Sequence, residues 1–380
     1  MIEWLNSYAI LILIICFGFV SVILLVYYST LFIKFAFRRP KKSKLHEPQP
    51  VSVVMVSKNE AHHLIKSLPK LLSQQYFNYE VVVVNDNSND ETEQVIRDFM
   101  TQYSHLKLVN LTSSVTNIQG KKFPLSIGIK SASHEIVLLT DPDCIPASDY
   151  WILHISKHFQ SKTQIVLGYS TVEKKKSLMN MFVHFDYLQH AMQYFSCALA
   201  GFPCMGTGKN LAYTKSAFYE QKGFASHNHF KYGDDDLFIN KMATAKNCEI
   251  EYAKETIIVS RYKSGFSAWF SMKKNQISSR RHFKSGHKFV LNTFSCFNFL
   301  FYALFAAIMP FVYQNLKYLV ILLSIFAFKL IIQYIVFGFS ASKLEEKRVV
   351  PYILLFDIFY IVISPFLYLS TLFSSRRKWK

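Results

Sequence analysis

The chain is poor in charge, and acid is the scarcer sign. Only 18% of its 380 residues are Asp, Glu, Lys or Arg, against about 25% in ordinary globular domains. The 25 acids face 43 Lys and Arg, a formal net charge of +18, and from Ser260 to Lys343 there is no acid at all. Cysteine is sparse too. Cys16, Cys144, Cys197, Cys204, Cys248 and Cys296 form neither a CxxC pair nor a zinc spacing. Two of them fall in apolar runs, which points to reduced thiols and a cytosol-facing domain, with a Cys197–Cys204 bridge left open. Neither GxGxxG nor GxxxxGK[ST] occurs, so no common glycine loop holds a phosphate here. Internal repeats and low-complexity segments are also missing. What is abundant is apolar, with 51% hydrophobic and 16% aromatic residues. A disordered chain, a collagen and a coiled coil are excluded. A globular domain joined to membrane segments remains.

The apolar runs are placed with purpose. Tyr8 to Phe32 is long enough to span a bilayer as a helix, which takes about 20 residues. It reads as an anchor rather than a cleaved signal, because no cation precedes it and no small-residue cleavage site follows. Six cations and no acid lie between Lys34 and Lys44, which puts the next domain in the cytoplasm. Further runs cover residues 293–313, 318–339 and 350–373. If all four cross, the basic tail Arg376–Lys380 lies outside, against the same rule. Three or four spans are therefore expected, with Asp357 and Pro365 marking the last run as the one that is re-entrant or interfacial. Ser260–Lys288 mixes aromatics with cations and suits a helix lying on anionic lipid. The expected organisation is an anchor at 1–37, a basic linker at 38–48, a catalytic domain at 49–259 and an interfacial segment at 260–290. A membrane region of two or three helices at 291–374 and a basic tail at 375–380 complete it. Because the cations border membrane runs, membrane lipids are the expected partner and nucleic acid is not.

Between these runs, short β-branched stretches alternate with helical patterns. Strands are predicted at Val51–Ser57, Glu80–Asn85, Leu106–Leu111, Glu135–Thr140 and Gln164–Tyr169. Helices are predicted at Ala61–Ser73, Glu91–Tyr103, Lys121–Ala132 and Tyr150–Phe159. Runs such as VVVV suit strands buried on both faces, so a doubly wound parallel sheet is expected, with its ligand at the carboxyl ends of the strands.

Polar clusters sit at those ends: Ser57-Lys58-Asn59-Glu60, Asn85 to Asp90, and Thr140-Asp141-Pro142-Asp143. Any one of them fits an ordinary turn or helix cap. Together they imply a site. Asp141 and Asp143 can share a hard divalent cation, Mg²⁺ or Mn²⁺, that neutralises a diphosphate. Asp234-Asp235-Asp236 opens a helical pattern and reads either as a cap or, since crowded carboxylates raise one another's pKa, as a proton acceptor. Gly206 and Gly208 permit close backbone approach, with Lys209 and Asn210 as donors; a plain turn is the other reading. Arg280, Arg281 and His282 offer cations to a diphosphate or to lipid headgroups.

These clusters, in this order, resemble the processive and lipid-linked members of the family 2 inverting glycosyltransferases, over about residues 50–285. VSVVMVSKNE resembles the family's first strand with its N-E pair, VVVVNDNSND its second, and GKKFPLSIGI its G-K-x-x-A-L segment. TDPD resembles the metal-binding DxD, and GDDDLFINK the E-D pair of ceramide glucosyltransferase-like sequences. The resemblance implies an α/β GT-A fold, Rossmann-like and built for nucleotide-diphospho-sugars, flanked by transmembrane helices. It implies that Ser57, Glu60, Asp86, Lys121 and Asp141 contact the nucleotide-sugar. It assigns Asp141 and Asp143 to the metal and Asp236 to the catalytic base, with Asp235 one residue away. Arg281-His282 stands where the family often has R-W, while Ser278 replaces the Gln of Q-x-x-R-W and Gln276 is displaced by two. This departure argues against a long-polymer synthase.

The expected function is transfer of a sugar from a nucleotide-diphosphate donor to a lipid, lipid-linked or glycan acceptor. The expected place is the cytoplasmic face of the cell (inner) membrane, crossed several times. A processive synthase that exports its polymer, and a catalytically silent membrane scaffold, are the competing expectations.

Overall fold

In the computed structural model the described residues are 2–39, 48–112, 120–159, 162–228, 230, 233–261 and 265–372. Most of the basic linker and the whole basic tail lie outside them. The chain begins with helix α1 (Ile2–Val26), which passes through a π-helical turn, Tyr27–Phe32, into α2 (Ile33–Ala36). The α/β region then runs β1 (Val51–Ser57), α3 (Ala61–Leu72), β2 (Tyr79–Asp86), α4 (Thr92–Met100), β3 (Leu106–Leu111), α5 (Lys122–Ser131) and β4 (Ile136–Leu139). After it come β5 (Cys144–Pro146), α6 (Trp151–Ser156), β6 (Ile165–Leu167), β7 (Ser170–Val172), the long α7 (Leu178–Leu199), β8 (Leu211–Thr214) and α8 (Lys215–Glu220). Helix α9 (Asp236–Met242), β9 (Cys248–Ile250) and β10 (Ile258–Ser260) close this half. Four helices follow: α10 (Phe266–Arg280), α11 (Ser285–Val312), α12 (Leu316–Lys343) and α13 (Ile353–Leu372).

The main sheet has the order β3-β2-β1-β4-β8-β6-β9. Its first four strands are parallel, as their continuous burial requires. The expected all-parallel sheet is corrected at β8, which runs antiparallel to both β4 and β6. The reason lies in α7. This 22-residue helix carries the chain away from β7, and the Gly206–Gly208 loop returns it in the opposite direction. A second sheet, β5-β10-β7, lies beside the end of β4. Apolar residues fill both faces of the main sheet. Val51, Val53 and Met55 pack with α3 and α6 residues on one side, and Val54 and Val82 with α5 residues on the other.

Helices 8–36, α11, α12 and the segment 347–371 are long and apolar enough to cross a membrane. Inside this bundle Lys329 is fully buried. It lies 3.8 Å from Asp357 and donates to Gln333 at 2.6 Å, while Asn298 and Tyr302 donate to Asp357. Such polar groups survive in an apolar bundle only when they satisfy one another. Helix α13 also runs beside α10, with Phe359 against Phe266 and Thr371 bonded to Arg281.

One carboxylate joins the two halves. Glu346, in the turn after α12, is 2% exposed. It accepts hydrogen bonds from Tyr169 and Thr171 and lies 2.9 Å from His184 of α7.

Candidate active site

The carboxyl ends of β1, β2 and β4 open into one cleft of about 580 Å³, floored by α7 and α10. Tight turns aim its rim. Asn59 and Asn87 sit in the left-handed region, at φ 56° and 51°, a conformation Asn tolerates better than most residues. These turns bring Lys58 to 3.6 Å from Asp86, and both line the cleft with Glu60. The rest of the second cluster builds the turn. Ser88, Asp90 and Thr92 accept from the backbone N–H groups of Asn59, Ala61 and Glu60.

Asp141 and Asp143 follow β4 and, with the Cys144 thiol, place their ligand atoms within 4.8 Å of one another. Lys121 holds Asp141 at 3.0 Å and Asp234 at 3.3 Å. Burial works against its charge, yet Asp141, Asp234 and Asp235 outweigh that cost and keep its pKa well above the usual lysine value. The adjacent Lys122 turns inward and donates to the carbonyls of His227 and Phe230. Asp143 accepts from Lys209 at 3.2 Å, from the Ser260 hydroxyl and from the Cys144 thiol. Burial pushes Asp143 up, but Lys209 and those hydrogen bonds prevail and hold it below the ordinary carboxylate range. Burial also raises the Cys144 thiol well above its usual value, so it stays protonated. The remaining donors are two carboxylates, the set a hard cation prefers.

The acid run begins after Gly233, whose φ of 92° lets the chain turn sharply into α9. Asp235 is the N-cap, and both its oxygens are engaged. One accepts from the N–H of Asp236 at 2.7 Å, the other from Gly208 at 2.9 Å. Asp236 is buried and accepts from the Gly206 N–H at 3.3 Å through Oδ1. Burial first, and Asp235 next, push its pKa well above the carboxylate value. Asp235 is also raised, by burial and by Asp234. The run is thus a cap and a buried, crowded acid at once. Such a buried carboxylate in a cleft is equipped to accept a proton near neutral pH. The glycines let backbone donors reach these acids; a methyl group on Gly206 would lie 3.1 Å from Leu167.

The cleft gathers Glu60, Asp86, Lys121, Asp141, Asp143 and the acid run, together with Gly206, Gly208 and Lys209. It does not gather five other expected residues. Ser57 is fully buried on the strand face opposite Val56 and Lys58, which do line the cleft. Asn210 is buried behind it, bridging Trp151 and the carbonyls of Tyr169 and Thr256. Arg281 donates to Thr371, and His282 stacks on Phe230 at 3.7 Å. Arg280 lines a different cavity. The helical phase of α10 explains Arg280, since it gives Gln276 and Ser279 to the cleft instead, while Arg281 and His282 lie past the helix's last residue.

Sequence reasoning missed the contribution of α7. Asp186, Tyr187, His190 and Tyr194 face the cleft, with Asp186 held by Lys273 at 2.6 Å and by the Trp269 indole N–H at 3.1 Å. The signal was present: Asp186 and His190 stand four apart and so share one face of the helix.

Residues 52–212 match the family model described as glycosyl transferase family 2. The chain is similar to the poly-beta-1,6-N-acetyl-D-glucosamine synthase of Staphylococcus epidermidis, 29% identical over 149 residues, 38% of this chain and 34% of that protein. It is similar to the synthase of the same name from Staphylococcus aureus at 25% over 163 residues, 42% of this chain and 38% of that one. The match therefore spans little more than a third of these relatives' length. Among solved structures, the mannosyltransferase PcManGT from Pyrobaculum calidifontis, in complex with GDP-Man and Mn²⁺, superposes with a TM-score of 0.55 at 16% identity. That superposition covers 92% of this chain and 99% of the other. This likeness concerns the fold, and it agrees with the GT-A arrangement expected from the sequence.

Proposed function

From a chain that carries a glycosyl transferase family 2 domain over residues 52–212, we propose a membrane-bound inverting glycosyltransferase. It moves a sugar from a nucleotide-diphosphate donor to an acceptor hydroxyl at the cytoplasmic membrane face. The observation that carries this reading is the meeting, in one cleft, of Asp141 and Asp143 with the Asp234–Asp236 run, although nearly a hundred residues separate them. Lys58, Glu60 and Asp86 bind and orient the nucleoside end. Lys121 and Lys209 steady the diphosphate as negative charge builds on it. Asp236 takes the proton from the acceptor hydroxyl, because its Oδ2 faces no partner among the described residues while both oxygens of Asp235 are engaged. The hydroxyl oxygen then attacks the anomeric carbon as the bond to the diphosphate breaks, inverting the configuration in one step.

Asp141 and Asp143 fit a divalent cation, Mg²⁺ or Mn²⁺. Their oxygens lie close together, and the neighbouring thiol is protonated and does not compete. When bound, such an ion supplies Lewis-acid neutralisation of the leaving diphosphate.

A second reading, chain extension, is favoured by the polymer synthases to which the chain is similar. The test for both is a sugar-nucleotide panel on membranes containing the protein, following nucleoside diphosphate release and product size. Release dependent on Asp236 and a divalent ion is expected. No release with any donor sinks the proposal, and long polymer selects the second reading.

A further inference from the structure

Beside the cleft lies a second cavity of about 370 Å³, walled by α7, α10, α11 and α13. The two spaces share one residue, His190, whose Nδ1 has no partner among the described residues. They differ in charge. Among the described residues no acid lines the second cavity. Its polar lining is neutral: the amides of Gln189, Gln193, Asn292 and Asn298, and the hydroxyls of Ser295 and Ser364. Two cations complete it. Lys273 is neutralised by Asp186 at 2.6 Å. The Arg280 guanidinium has no hydrogen-bond or ion-pair partner among the described residues.

Asp236, on the cleft side, feels the Arg280 charge but does not pair with it; a half-buried guanidinium without an ion-pair partner is costly to maintain. Its planar fork matches phosphate oxygens in pairs. The outer walls say where that phosphate comes from. Phe289 and Phe311 of α11, and Leu355, Val362 and Phe366 of α13, are exposed on helices apolar enough to cross a bilayer. Lipid tails suit those faces, and a free anion in water has no comparable approach.

We propose that this cavity binds the phosphate-bearing headgroup of a membrane lipid, with the phosphate on Arg280 and the rest of the headgroup against the amides. His190 stands between that headgroup and the acid cleft. The inference rests on the membrane-bound reading above but not on sugar transfer itself. Two lipids supply this chemistry: a bulk anionic phospholipid, or an acceptor lipid that carries a phosphate.

The test uses the full chain in phosphatidylcholine nanodiscs, titrated with fluorescent phosphatidylglycerol. Wild type is expected to bind it about 10-fold or more tightly than Arg280→Gln, the scale of one charge-assisted contact. Arg280→Lys recovers part of the affinity, and Ser364→Trp, which fills the space, loses it. Thermal unfolding of each variant separates lost binding from lost fold. Equal binding by wild type and a folded Arg280→Gln, or no preference over phosphatidylcholine, overturns the proposal. A long-chain isoprenyl phosphate tells the sources apart. If it displaces phosphatidylglycerol and gains sugar, the site is for acceptor; if phosphatidylglycerol stays and changes turnover, it is for bulk lipid. Wild type that binds lipid yet turns over no donor leaves this inference standing and sinks the transferase reading alone.

Discussion

The cleft and the cavity share a helix, a histidine and a wall, yet their chemistry is opposite. Eight carboxylates line the cleft, where Lys58, Lys121 and Lys209 sit among them. Among the described residues the cavity has none, and its polar groups are amides, hydroxyls, the shared His190, the Lys273 held by Asp186 and an Arg280 without an ion pair. The split follows the phase of α10. Met272, Asn275, Gln276 and Ser279 turn to the cleft, while Lys273, Ile277 and Arg280 turn to the cavity. A single helix thus separates a site suited to cations from one suited to an anion. The lesson is that a net charge of +18 says little about where negative charge is concentrated.

The strongest way to break this comparison is to neutralise the proposed base. Asp236→Asn is expected to lower sugar transfer by about 10³-fold, within the range for a general base, read as nucleoside diphosphate release. It should not destabilise the fold. The raised pKa means that the buried ionised form costs stability, a cost that builds as pH rises from the unfolded carboxylate value to the folded one. Removing the charge removes that cost, so an unchanged or higher unfolding temperature is expected, and a marked drop would argue against it.

Next in size is the cation side of the cleft. Asp143→Ala, or a chelator on wild type, should cost about 10²-fold, and added Mn²⁺ should restore the chelated enzyme but not the variant. Equal activity with and without chelator removes the cation from the scheme.

The pH profile comes third. With Asp236 raised by burial and by Asp235, kcat/KM should fall about tenfold per pH unit on the acid side. The fall should begin above the range of an ordinary carboxylate, and a profile flat down to that range contradicts the assignment of the base. The smallest effect sharpens the boundary between the two spaces. Arg281 bonds to Thr371 outside the cleft, so Arg281→Ala should leave donor turnover within about twofold, as surface changes do.

Legibility followed the range of the interaction. Strands β1 and β3 coincide with their sequence expectations, because VSVVMVS and LKLVNL carry their β signal locally. Strand β8 does not. Four residues, LAYT, are too few to announce themselves, and β4 and β6 supply its pairing. That Asp141, Asp143 and Asp236 line the cleft was legible, because each stands where an apolar element meets a polar cluster. Ser260 was not, since its bond to Asp143 crosses 117 positions of chain and exists only once β10 joins β5. Arg280 had the right neighbours in the chain and the wrong angle on the helix.

Glu346 has a practical consequence for anyone handling this protein. Its carboxylate comes from the apolar end of the chain yet completes the polar pairing of Tyr169, Thr171 and His184, next to Ser170 on the wall of the cleft. A truncated form ending near residue 259 would leave three polar side chains facing a hole where their acceptor had been. The α/β half is better purified with its helices attached, in a detergent mild enough to leave that turn in place.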